Sequence, residues 1–121
     1  MVYLNEQTDE INLFESLIID VIFNQKGETI TFLVDWTENE TPITVRCHYC
    51  SNCIFNICST DNFVCTGLLI TGFSYEKIDD YYIVQFNFDL NMKGFIKFKC
   101  YGFSFEVPST PIQTGGNDKR I

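Results

Sequence analysis

From Tyr81 to Leu90 the chain reads YYIVQFNFDL, and every second residue is large and apolar: Tyr82, Val84, Phe86, Phe88 and Leu90. Gln85, Asn87 and Asp89 stand between them. A strand sends successive side chains to opposite faces, whereas a helix returns to one face every three or four residues. The alternation therefore predicts a strand with one buried face. The pattern recurs along the chain. Ile30, Phe32, Val34 and Trp36 alternate with Thr29, Thr31, Leu33 and Asp35. FIKFKCY (95–101) turns Ile96, Phe98 and Cys100 inward and Lys97 and Lys99 outward, and FSFEV (103–107) repeats the arrangement with Phe103, Phe105 and Val107. In ITVRCHY (43–49), Ile43, Val45, Cys47 and Tyr49 share one face, and Thr44, Arg46 and His48 share the other.

LIIDVIFN (17–24) is apolar on both faces except at Asp20, the pattern of a central, well-covered strand. CIFNIC (53–58) and LLITGFSYE (68–76) complete the set, with Gly72 marking a bulge or a close backbone approach. Turn residues separate the runs at 24–28, 59–62, Asp79-Asp80 and 91–94, and Pro42 suits the position just before a strand. Only residues 1–16 break the rhythm, where Ile11, Leu13, Phe14 and Leu17 fit one face of a short helix. The expected fold is mainly β. It is a single domain over 1–107, an antiparallel seven- or eight-stranded curled sheet or sandwich with at most a short N-terminal helix. Residues 108–121, rich in Pro, Gly and polar side chains, are expected to form a disordered C-terminal tail.

Composition narrows the function classes. Hydrophobic residues make up 45% of the 121, against 20% charged, which is enough apolar surface for a core. Sixteen acidic and eight basic residues give a net charge of -8. That field repels a phosphate backbone, so nucleic acid is not an expected partner, and it speeds encounter with a cationic one. The first sixteen residues hold four acidic side chains and no Lys or Arg, unlike a secretory signal, and no apolar run approaches a membrane span. The expectation is a cytoplasmic protein with reduced thiols and no membrane partner.

Five of the six cysteines and the only histidine, His48, lie between Ile43 and Cys65. Zinc takes four thiolate or imidazole ligands in a tetrahedron, and the C-x-x-C pairs among Cys47, Cys50 and Cys53, with Cys58, supply the donor types for a zinc-stabilised module. Against this, no second C-x-x-C pair lies at a distance, and Cys47 falls on the apolar face of its strand. Cys53 and Cys58 frame Ile54, Phe55 and Ile57 as core residues would, and free cysteine packs as a small hydrophobe. The reading preferred here is structural thiols, with no metal and no cofactor. A thiol nucleophile would need a base, and His48 sits on the polar side of its strand, away from Cys47. Phosphate-cradling and hydrolase motifs are absent, and the carboxylate groups fall in loops and at strand ends, so no catalytic residue is assigned.

Four pieces of the chain form a recognisable order: LFESLIIDVIF (13–23), ETITFLVDW (28–36), ITVRCHYCSNCIFNI (43–57) and YYIVQFNFDLNMKGFIKFKC (81–100). Their succession resembles the bacterial immunity proteins of polymorphic toxin systems, the immunity protein 50 type, over most of residues 13–107. Phe14-Glu15-Ser16 stands where that family tends to show His-Asp, so the histidine's role is not carried over. The resemblance implies a non-catalytic protein that binds and blocks a cognate, basic protein toxin. For such a partner, Glu38, Glu40, Asp79 and Asp80 are the expected charged contacts and Trp36, Tyr81 and Tyr101 the expected exposed anchors. A structural domain that pairs copies of itself through exposed aromatics is the alternative in a different class.

Overall fold

A computed structural model describes residues 1–24, 28–36, 41–59, 67–89 and 92–108. Nine strands lie among them: β1 (Val2–Leu4), β2 (Leu17–Asn24), β3 (Thr29–Trp36), β4 (Thr41–His48), β5 (Ser51–Ser59), β6 (Leu68–Ile78), β7 (Tyr81–Asp89), β8 (Met92–Cys100) and β9 (Gly102–Glu106). A 3-10 helix, Asn5–Glu10, follows β1. The strands form one antiparallel sheet in the order β1-β9-β4-β3-β2-β6-β7-β8-β5. The sheet does not close.

Its continuity is thinnest at the middle. Strand β2 pairs with β6 only through Leu17 with Leu69 and Ile18 with Leu68, so the sheet folds there into a five-stranded and a four-stranded half. The inner faces then pack together. Phe32 of β3 lies 4.9 Å from Phe86 of β7 and 6.0 Å from Phe98 of β8, ring centroid to centroid. Phe73 of β6 lies 5.3 Å from Phe105 of β9. The apolar members of each alternating run supply this core: Ile30, Phe32 and Val34, then Val84 and Phe86, Ile96 and Phe98, and Phe103 and Phe105 are all buried. Burying each such side chain stabilises the fold by about 1.5–3 kcal/mol, with about 0.5–1.5 kcal/mol more for a well-placed aromatic pair.

The alternating strands and the bulge at Gly72, where the β6–β7 register shifts, agree with the periodicity. Other features differ. β1 was too short to register as a pattern, and the N-terminal helix is a 3-10 turn at Asn5–Glu10 rather than a helix through Phe14. It is tethered by polar contacts: Tyr82 Oη donates to Glu6 and Tyr75 Oη to Asp9, each at 2.8 Å. β2 is not well covered. Beyond Ile18 it pairs with β3 alone among the described residues, leaving Ile19, Ile22 and Phe23 half exposed. The expected tail, from residue 109 onward, lies outside the described residues.

Candidate functional site

The chain passes between the two halves at two adjacent bends, from β4 to β5 through Tyr49 and Cys50, and from β8 to β9 through Tyr101. Tyr101 N donates to His48 O at 2.9 Å, and Cys50 N to Glu28 O at 2.7 Å. These bonds fasten the bends to each other and to the start of β3. Because Tyr49 has φ of 56°, the chain leaves the strand there, and its side chain is 65% exposed rather than continuing the buried face of Cys47.

On the outer side the tyrosines gather. Tyr81 opens β7 after the Asp79-Asp80 turn, and its ring lies 6.2 Å from that of Tyr101. Lys99, outward on β8, places Nζ 4.3 Å from the Tyr81 ring centroid and 5.4 Å from that of Tyr101. Beside this group a cleft of about 520 Å³ is lined by Glu28, Tyr49, Ser51, Lys99 and Tyr101. The arrangement presents flat aromatic surface, one carboxylate and one engaged ammonium at the surface.

Beneath the same bends lie the thiols. Cys47 and Cys100 are fully buried and Cys50 nearly so. The Cys47 and Cys100 thiols are neighbours, and Cys50 Sγ donates to Cys47 O at 3.3 Å. Burial pushes Cys47 up well beyond the usual thiol range and Cys50 to about 12. Such thiols stay protonated at neutral pH, and the thiolate is the form that attacks or ligates. Cys53 reaches a second hollow of about 230 Å³, shared with Phe23, Asn24, Glu28, Thr29, Ile30 and Cys50.

The four cysteines named as zinc ligands do not meet, and Cys65, the last of that cluster, lies outside the described residues. Cys58 lies five positions beyond Cys53 along β5, about 17 Å at the rise of a strand, so Cys47, Cys50, Cys53 and Cys58 do not converge on one point. Among the described residues no three His, Cys, Asp or Glu side chains are grouped to hold a metal ion. Cys53 and Cys58 are also exposed, not core residues. Cys47 is buried on the apolar face of its strand as its position in the alternation indicates, and His48 is exposed. The thiol that joins Cys47 is Cys100, far away in sequence but inward on β8.

Of the expected partner contacts, Asp79, Asp80, Tyr81 and Tyr101 do come together at one end. Trp36 does not join them. It is 9% exposed, with Nε1 donating to Asn12 O at 2.9 Å, so it is a core residue of β3 and not an exposed anchor. Glu38 and Glu40 lie outside the described residues. Glu28, Tyr49, Ser51 and Lys99 carry no motif. The two-residue spacing of outward Lys99 and Tyr101 was the one visible signal, because side chains two apart on a strand share a face.

The architecture is that of a single-domain, mainly β protein on an open antiparallel sheet. No protein-family model, no characterised protein and no solved structure matches the chain. No helix among the described residues is long and apolar enough to cross a membrane.

Proposed function

We propose that the chain is a non-catalytic binding protein that holds a basic protein partner against its tyrosine end. In the terms of its resemblance to immunity proteins, the partner is a cognate toxin neutralised by direct contact in the cytoplasm. One observation carries the reading. Asp79 and Asp80 adjoin Tyr81, Tyr81 packs beside Tyr101, and Tyr101 shares a cleft with Tyr49 and Glu28. Aromatic anchors set among carboxylates are what a desolvating contact with a cationic surface needs: the rings supply area, and the charges supply steering. The net charge of -8 favours such a partner at long range. Alanine at Asp79 and Asp80 is expected to slow association with the partner and flatten its salt dependence. Unchanged kinetics would remove that turn from the interface.

A second reading, self-association, is favoured by β5. This strand ends the sheet, its nine residues SNCIFNICS include no charged side chain, and Ile54 and Phe55 are 49% and 43% exposed. Edge strands in monomers are normally blunted by charge or proline. Sedimentation over a hundredfold concentration range decides it: a dimer abolished by Ile54→Lys supports self-pairing, and a monomer throughout excludes it.

A further inference from the structure

The left-handed backbone positions of this protein fall at its turns and at the β5 register shift. Among the non-glycine residues with positive φ, Glu28 (50°), Tyr49 (56°) and Asn52 (53°) cluster at the paired bends. Asparagine tolerates that region, but glutamate and tyrosine rarely enter it, and glycine would meet the turn with less strain. Both Glu28 and Tyr49 project exposed side chains, and both line the 520 Å³ cleft with Ser51, Lys99 and Tyr101. The Cys50 N–H bond to Glu28 O couples the two strained positions. The two turns thereby set the Glu28 and Tyr49 side chains on one cleft.

The charges of the cleft indicate which ligand. Lys99, its one cation, is turned onto the rings of Tyr81 and Tyr101. The only ion pair among the described residues is Arg46 with Glu106, on β4 and β9, which leaves the Glu28 carboxylate without a cation among those residues. A planar guanidinium stacks on an aromatic face while binding a carboxylate through two N–H groups, which a lysine ammonium cannot do. We propose that the cleft between Tyr49 and Tyr101 is a slot for an arginine side chain of the protein partner, stacked on tyrosine and ion-paired with Glu28. This rests on the binding function proposed above and names the chemistry of its contact.

The test needs no partner. Backbone amide shifts of the full chain are followed by NMR during titration with N-acetyl-arginine amide, and with N-acetyl-norleucine amide as the uncharged control. The arginine probe is expected to move the Tyr49, Ser51 and Tyr101 signals with millimolar affinity, and Glu28→Gln to weaken it at least fivefold without changing the fold. Equal responses to the two probes, or none at those residues, would overturn the slot. The left-handed turn at Glu28 has its own readout. Glu28→Gly is expected to raise the thermal midpoint by about 3 °C while losing the arginine response; a lowered midpoint would contradict it. Loss of the arginine response with partner binding still sensitive to Asp79 and Asp80 would sink the slot alone. A normal arginine response in a protein whose partner ignores this whole end would sink the function.

Discussion

The ammonium of Lys99 sits 4.3 Å from the centre of the Tyr81 ring and 5.4 Å from that of Tyr101, so one cation spans two aromatic residues from different turns. It fixes the rings of the tyrosine end without neutralising Glu28. A cation over an exposed ring contributes about 0.5–1 kcal/mol. Lys99→Met keeps most of the stem and removes the charge, and is expected to lower stability by about that amount in urea unfolding. It should also shift the ring signals of both tyrosines. No change in either ring would mean that Lys99 does not hold them.

Phe32 is the residue through which the folded sheet grips itself, because it meets both β7 and β8 across the core. Phe32→Ala leaves a cavity between the halves and is expected to cost about 3–5 kcal/mol. Trp36→Ala should also be severe, because Trp36 is buried and its indole N–H is bonded to Asn12 O. Tyr49→Ala, at an exposed ring, should cost far less. Chemical denaturation of the three variants gives the ranking, and a Trp36 variant as mild as the Tyr49 one would restore Trp36 to the surface.

Stability should fail on the alkaline side. Burial raises Cys50 from 9.0 to about 12, and burial followed by the hydrogen bond to Asp9 raises Tyr75 from 10.0 to about 12. For each group the folded state binds its proton more tightly than the unfolded state does. The stabilisation is therefore complete below the unfolded value and is lost as pH rises to the folded one. The thermal midpoint should hold to about pH 9 and then fall towards pH 12. Cys50→Ala should make the fall shallower without moving its onset, because burial holds the Cys47 and Cys53 thiols up as well.

The thiols divide by access. Brief alkylation of the folded protein, read by peptide mass mapping, is expected to label Cys53 and Cys58 and to spare Cys47, Cys50 and Cys100 until denaturant is added. Rapid labelling of Cys47 or Cys100 would mean that the paired bends open readily.

Strands such as β3, β7 and β8 were legible because one buried face imposes a period of two on the residues themselves. The periodicity could not say where that face stops. Tyr49 continues the inward series of Ile43, Val45 and Cys47, yet one left-handed residue turns it to the surface. Trp36 was misread for a related reason: a large aromatic at a strand end reads equally as anchor or core, and only the approach of Asn12 O decides. The joining of Cys47 to Cys100, and of Tyr81 to Tyr101, depends on which strands stack across the fold. Local pattern carries no record of that. The acidic balance was legible, but not that Lys99 would be spent on tyrosine rings.

The most direct measurement of the central claim is paired binding kinetics on the partner that the wild-type chain captures from its own cells. That purified partner is offered to wild type, to Tyr49→Ala/Tyr101→Ala and to Asp79→Ala/Asp80→Ala, at low and high salt. The account predicts that losing the tyrosines speeds dissociation at least tenfold. Losing the aspartates should slow association at low salt only. Rate constants identical across all three proteins would show that the partner binds elsewhere, and would contradict the assignment of this end as the binding face.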